Sequence, residues 1–221
     1  MTRQAEKKAI NQLINKVIKM GLIAKQSETD FNFEKAPEGN HLAVCFSVID
    51  LGMQTVDFQG VTSQKRKIRL SWELPQELMS EGEYKGRPFS ISKNYTLSLH
   101  EKSVLYKDLI SWRGRAFTKE ELAGFDVFNV LGASCMINVI HTTTPDGKTY
   151  ANVASVAQLP KGMAKMQPCN DLVRFNTEDH TADEYNSLPE WLRGKVNLPQ
   201  AVEHDPAAPD VADSFDDDIP F

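Results

Sequence analysis

Basic side chains concentrate in one part of the chain, between residues 65 and 115. A run of basic residues on one strand can contact successive phosphates of a nucleic acid, which an isolated surface charge cannot do. The nine bases of this set are Lys65, Arg66, Lys67, Arg69, Lys85, Arg87, Lys93, Arg113 and Arg115. A solvated strand face is the plainer interpretation of such a run. The pattern favours a groove that binds the backbone of a single-stranded nucleic acid.

Aromatic rings near these bases could stack on nucleobases, which is the second requirement of single-strand binding. The rings close to loops and charges are Phe58, Tyr84, Trp112 and Phe117. Trp72 and Tyr95 are further candidates, but they lie on the apolar faces of their segments, where a place in the core competes with a stacking role. Each stacked base contributes about 1–3 kcal/mol, so a few exposed rings would suffice.

Catalytic chemistry has weak support in this sequence. There is no Gly-rich phosphate loop, no Cys/His spacing for a metal and no nucleophile motif. The stretch from Glu81 to Lys85 loosely matches the acid-x-Lys end of a magnesium-dependent nuclease site, but no matching upstream Asp accompanies it. We expect a binding protein that is not an enzyme and that uses no metal and no cofactor.

The segments that must position these side chains read first as three strands. Residues 41–51 form a β-branched and aromatic run, residues 65–74 alternate Ile68, Leu70, Trp72 and Leu74 with charged or polar residues, and residues 89–99 alternate again. The polar side of the second strand should therefore face solvent or a partner.

A helical period follows from residue 101 to Gly114, and Thr118 with Glu121 forms a capping-box pattern for a second short helix. Two more strands, residues 134–143 and 149–159, flank a Pro-Asp-Gly turn. Three strands, a helical segment and a hairpin are the order of elements in an OB fold, a five-stranded barrel that binds oligonucleotides. The sequence predicts this mainly β fold.

The flanking regions divide the chain further. Residues 1–20 read as an amphipathic helix, and Met20 offers a second start; residues 21–160 form the barrel domain. Residues 161–198 read as an extension packed on the barrel, with a short helix anchored by Trp191 and Leu192. Residues 199–221 read as a disordered linker and acidic tail.

Charge separates this tail from the rest of the chain. The net charge is −5, but seven acids and no Lys or Arg lie in residues 203–221, so the remainder carries 25 basic and 23 acidic groups. The tail ends Asp216-Asp217-Asp218-Ile219-Pro220-Phe221. An exposed acidic arm with an apolar end requires a partner with a basic, apolar-floored pocket.

This terminal hexapeptide resembles the C-terminal tip of bacterial single-stranded DNA-binding proteins. More widely, Phe89–Tyr95, Trp112–Arg115 and Gly147–Asn152 resemble segments of phage-encoded single-stranded DNA-binding proteins with an OB fold. The chain departs from the bacterial family by its N-terminal helix, its Trp191 segment and the lack of a long Gln/Gly/Pro-rich linker.

The resemblance implies a protein of phage DNA replication or recombination in the cytoplasm of an infected bacterial host. It implies single-stranded DNA as ligand and replication or recombination proteins as partners of the tail, and it leaves room for a homo-oligomer. No apolar stretch is long enough to span a membrane. A replisome adaptor that does not bind DNA is the alternative, and a nuclease ranks third. At low salt the free tail should compete with DNA for the basic groove.

Overall fold

The computed structural model describes residues 34–199. The predicted helix of residues 1–20 and the tail from residue 200 onward lie outside this range. The side chain of Phe58 also lies outside the described set.

Six strands form one mainly antiparallel sheet, so the prediction of a mainly β chain is confirmed. They are β1 (Gly39–Phe58), β2 (Val61–Leu78), β3 (Pro88–Thr96), β4 (Ser134–Thr143), β5 (Thr149–Ala157) and β6 (Val173–Phe175). Their order is β3-β2-β1-β4-β5, with β6 paired in parallel to β1. Strand β6 lies in residues 161–198, where the sequence predicts no strand, because three residues are too few to show alternation.

The first hairpin is longer than the sequence predicts. Strands β1 and β2 continue as a two-stranded arm that pairs from Met53 with Arg66 to Phe58 with Val61. The arm closes on Gln59 and Gly60, which have φ angles of 51° and 80°. Two successive residues in the left-handed region suit a two-residue turn that matches the twist of the strands. Residues 53–64 lack apolar alternation, so the pattern gave no signal for the arm.

Three short helical segments lie between β3 and β4 in the chain. They are α1 (Val104–Arg113), α2 (Lys119–Ala123) and a 3-10 helix (Val127–Val130). Ser103 caps α1, which ends at Gly114 with a φ of 66°, and Thr118 and Glu121 form the predicted capping box on α2. Two more helices, α3 (Ala182–Ser187) and α4 (Glu190–Arg193), follow β6. No helix within residues 34–199 is both long and apolar enough to cross a membrane.

The main core lies on one face of the sheet. Ile68, Leu70, Trp72 and Leu74 are all buried there, as the alternation predicts. Trp112 of α1 joins them, with its ring centroid 6.0 Å from that of Trp72. Strands β3 and β5 contact each other, but within the described part of the chain no ladder joins them, so the sheet is open.

The segment after β5 builds a second core on the opposite, outer face of the sheet. Ile49 and Leu51 of β1 are buried there with four apolar residues that follow them in the chain: Phe175, Leu188, Leu192 and Val196. We call residues 161–198 the extension. Its packing on β1 means that the outer face of the sheet is only partly open to solvent.

The extension is also bonded to the outer face of β2 at Glu73. This side chain is 0% exposed and accepts hydrogen bonds from the backbone N–H of Cys169 and from Asn170, whose backbone N lies at 2.9 Å and side-chain Nδ2 at 2.5 Å. The expectation that the whole polar face of β2 points at solvent or a partner therefore needs correction. At Glu73 that face is covered by the protein itself.

Candidate nucleic-acid interface

Lys67 and Arg69 stand next to each other on the outer face of β2, where their positions alternate with buried Ile68 and Leu70. Lys67 Nζ donates to Thr96 Oγ1 at 2.6 Å, and Arg69 donates to Asn94 Oδ1 at 3.1 Å across the β2–β3 ladder. Both partners are neutral. Within residues 34–199 neither cation has a carboxylate within ion-pair distance, so their charges remain uncompensated.

The extension adds an exposed aromatic ring to this face. Trp191 is 54% exposed, and its ring centroid lies 5.1 Å from Arg69 Cζ and 5.2 Å from Lys195 Nζ. Burial lowers the pKa of Arg69 below its ordinary value. Lys67, Arg69, Trp191 and Lys195 form what we call the outer cationic face.

Trp191 and Lys195 were not among the predicted site residues. The sequence predicts that Trp191 and Leu192 together anchor the short helix, but only Leu192 is buried, at 5% exposed. A helix of four residues has too few turns to reveal which side is apolar. The closeness of Trp191 to Arg193 and Lys195 in the chain was the available signal.

Arg66 is not a free cation of the groove. Its guanidinium lies 2.7 Å from both Asp50 Oδ2 and Glu178 Oε1. Asp50 also accepts hydrogen bonds from Gly52 N at 3.0 Å and from the backbone N–H and hydroxyl of Thr177. Burial acts to raise the pKa of Asp50, but the bonds from Arg66 and Thr177 outweigh it, so the pKa is below its ordinary value. Arg66 therefore ties β2 to β1 and to the extension.

A pocket beside Arg66 does not suit a phosphate. Its walls include the apolar residues Ile68 and Phe125 and three carboxylates, those of Asp50, Asp126 and Glu178. Arg66 is the single basic residue among the lining residues. Because the acids outnumber the base, the pocket should repel an anion.

Lys93 points toward α1 and not to the outer face. Its Nζ lies 2.9 Å from Asp108 Oδ2, and the same carboxylate accepts a hydrogen bond from the Tyr95 hydroxyl at 2.8 Å. Burial and the nearby Asp108 raise the pKa of Tyr95. Lys93 is thus paired inside the α1–β3 contact.

Three of the candidate stacking rings are buried. Trp72 is 0% exposed, Tyr95 is 2% exposed and Trp112 is 7% exposed. Trp112 also donates its indole N–H to the Ser134 carbonyl oxygen at 3.0 Å. None of the three offers a free ring face to a base, and we therefore remove them from the interface.

Arg113, Arg115 and Phe117 form a contact of their own after α1. The Arg113 guanidinium lies 4.3 Å from the Phe117 ring centroid and is paired with Glu121, and Arg115 lies 2.7 Å from the same carboxylate. The Arg115 side chain, the Thr118 N–H and Arg113 lower the pKa of Glu121 to about 2. Both arginines therefore pair with one carboxylate, which balances one of their two charges, and Phe117 is partly covered.

The remaining candidates stay accessible but lie apart from the outer cationic face. Lys65 is exposed at the base of the arm. Lys85 and Arg87 are exposed in the β2–β3 loop, where Arg87 Cζ lies 5.8 Å from the ring centroid of Tyr84, a side chain that is 42% exposed. This loop leaves β2 at the end opposite to Lys67.

The loop also contains Glu81 and Glu83, both exposed, which belonged to the nuclease alternative. In the part of the chain that the structure describes, no three His, Cys, Asp or Glu side chains are grouped so that they could hold a metal ion.

Comparison with known proteins adds no further constraint on this interface. No protein-family model matches the chain, and no curated protein matches it either.

Proposed function

We propose that the chain is a single-stranded DNA-binding protein with a barrel of the OB type, and that the strand crosses the outer cationic face. The observation that carries the proposal is that, within residues 34–199, Lys67 and Arg69 form no ion pair. Both are bonded to neutral Thr96 and Asn94, whereas Arg66, Lys93, Arg113 and Arg115 all form ion pairs. Phosphates could supply the missing negative charge.

The shape of the surroundings favours a single strand over a duplex. A protein usually reads duplex DNA by inserting a helix or a two-stranded ribbon into the major groove. Beyond its base at Lys65 and Arg66, the arm (residues 53–64) carries Asp57 and no Lys or Arg. Lys67 and Arg69 lie instead on a broad sheet face, which suits a flexible strand.

We further propose that the tail, Asp216 to Phe221, recruits replication or recombination proteins, and that the protein acts in phage DNA metabolism without catalytic activity. The support is the terminal hexapeptide and its resemblance to the tip of bacterial single-stranded DNA-binding proteins.

The proposed barrel would be completed by closing β3 against β5, which already contact each other.

A fluorescence-anisotropy titration tests the DNA-binding proposal. Labelled oligo(dT) should bind at low salt, bind more weakly at high salt, and bind more tightly than a duplex of the same length. Reversing the charges of Lys65, Lys67 and Arg69 should abolish the binding. Absent binding, or equal binding of strand and duplex, would contradict the proposal.

The same variant separates DNA binding from an adaptor function. If the wild type fails to bind oligonucleotides but captures replication proteins through its tail, and the charge reversal changes nothing, the adaptor alternative holds. Incubating the protein with Mg²⁺ and a labelled strand tests for a nuclease, which should leave the strand intact if the chain only binds.

A further inference from the structure

Trp191 is held by its neighbours in a position that exposes its ring. The next residue, Leu192, is 5% exposed and belongs to the second core with Ile49 and Leu51. Leu192 therefore fixes α4 on the sheet, while the indole of Trp191 remains 54% exposed. The apolar ring lies outside the core although its own helix is packed.

The backbone on both sides of Trp191 is tied down. Leu192 N donates to the Pro189 carbonyl at 2.9 Å, and Lys195 N donates to the Leu192 carbonyl at 2.8 Å. The Lys195 carbonyl accepts from Gln54 Nε2 at 3.0 Å, which links this segment to β1. A ring on so constrained a backbone loses little conformational freedom when it binds a ligand.

The charges around the ring define the ligand that fits. Arg69 and Lys195 place a guanidinium and an ammonium 5.1 Å and 5.2 Å from the ring centroid. Lys67 lies two positions before Arg69 on β2 and therefore about 7 Å further along the same face. An exposed ring beside several cations matches a ligand that has a flat apolar part and a repeating negative charge.

We propose that Trp191 stacks on an unpaired nucleobase of the bound strand while Arg69 and Lys195 contact the adjoining phosphates. The inference rests on the proposed DNA-binding function and assigns to the extension, and not to the barrel, the main stacking residue of the site. A merely structural Trp191 would shield Arg69 and contribute nothing to affinity.

Intrinsic fluorescence gives a direct readout of this residue. The chain has three tryptophans, and the other two, Trp72 and Trp112, are 0% and 7% exposed. Quenching by added unlabelled oligo(dT) should therefore arise from Trp191. The Trp191→Phe variant should lose the quenching but keep most of the affinity, since a phenyl ring still stacks.

Affinity is measured separately by anisotropy with Trp191→Leu, which keeps an apolar side chain but removes the ring. Its dissociation constant for oligo(dT) should rise about 5- to 150-fold, the factor that corresponds to one stacked base. Leu78→Ala, a change at another side chain that is 54% exposed, is the matched control and should bind as the wild type does. Unchanged melting temperatures would show that all the variants are folded.

The outcomes separate the inference from the function on which it rests. If the wild type binds oligo(dT) but Trp191→Leu binds equally well, the stacking role is wrong and DNA binding stands. If oligo(dT) quenches the tryptophan fluorescence of Trp191→Phe as strongly as that of the wild type, the nucleobase does not stack on Trp191. If the wild type binds no oligonucleotide, the proposed function fails and the inference fails with it.

Discussion

The backbone of Asn197 lies directly over Gly52 of β1. Asn197 N donates to the Leu51 carbonyl at 2.9 Å, and a Cβ on Gly52 would lie 2.0 Å from the Asn197 carbonyl oxygen. Gly52 also has a φ of 71°. The end of the extension can therefore reach β1 only because this position has no side chain.

Replacing Gly52 by Ala should displace the end of the extension. Gly60→Ala is a matched control, because Gly60 has a φ of 80° but no atom within 4 Å of the added Cβ. Both variants carry the left-handed strain, so their difference isolates the clash. We expect the free energy of unfolding of Gly52→Ala, measured by urea denaturation, to be about 1–3 kcal/mol lower than that of Gly60→Ala. Equal stabilities would mean that Asn197 does not dock on Gly52.

The buried carboxylate of Glu73 should be needed to hold the start of the extension. Glu73→Gln turns one of its two acceptor oxygens into a donor that faces the N–H groups of Cys169 and Asn170. Leaving a buried polar group unsatisfied costs about 1–3 kcal/mol. We expect a lower melting temperature for this variant than for the wild type, and faster proteolysis between residues 160 and 172.

Thiol labelling gives an independent readout of the Glu73 prediction. Cys169 is exposed, whereas burial raises the pKa of Cys45 to about 12 and also raises the pKa of Cys135. The folded protein should thus label once, and Glu73→Gln should label Cys169 faster. Glu81→Gln, at an exposed carboxylate, is the control and should label as the wild type does. Identical labelling and melting of the Glu73 variant would contradict the proposed anchoring.

Asp50 should make the stability of the fold depend on pH at the acid end. Its folded-state pKa lies below the ordinary 3.8, so its contribution is fully present above about pH 4 and is lost as the pH falls through the folded-state value. Asp50→Asn should lower the free energy of unfolding by about 1–3 kcal/mol at pH 7. The gap between variant and wild type should shrink below pH 4 in urea titrations. A gap that stays constant down to pH 2 would show that this carboxylate does not titrate with folding.

The acidic tail should compete with DNA for the outer cationic face. Asn197, near the end of the described residues, donates its Nδ2 to the Met53 carbonyl at 2.7 Å, so the described part of the chain ends close to β1. Removing Asp213–Phe221 should tighten oligo(dT) binding several-fold at low salt and have no effect at about 1 M salt, where charges are screened beyond about 3 Å. It should also abolish capture of replication proteins. Unchanged affinity at low salt would leave the tail as a tether alone.

Sequence patterns predicted those elements that are determined by residues close together in the chain. The alternation of Ile68, Leu70, Trp72 and Leu74 located the inner face of β2, and the pair Thr118 and Glu121 located the start of α2. Both signals depend on residues a few positions apart, and propensity rules capture such spacing.

The side-chain partners of residues far apart in the sequence could not be predicted from such local patterns. Arg66 pairs with Glu178, which is 112 positions away, and Glu73 is covered by Asn170, which is 97 positions away. The sequence pattern around a basic residue on an alternating strand is the same whether or not the residue forms an ion pair in the fold. The sequence therefore identified a basic cluster, while the structure was needed to separate Lys67 and Arg69 from the matched arginines.

The salt dependence of oligo(dT) affinity tests the central claim most directly. For single strands the slope of log affinity against log salt changes by about 0.7 for each phosphate contact. The double variant Lys67→Gln/Arg69→Gln keeps side chains that can bond to Thr96 and Asn94 but removes both charges. Its slope should be shallower than that of the wild type by about 1.4, twice the value for one contact.

The matched control is Lys102→Gln/Lys161→Gln, which removes two exposed charges elsewhere and should leave the slope unchanged. A shallower slope for the first variant alone would place the strand on the outer cationic face. Parallel lines for wild type, variant and control would contradict the account.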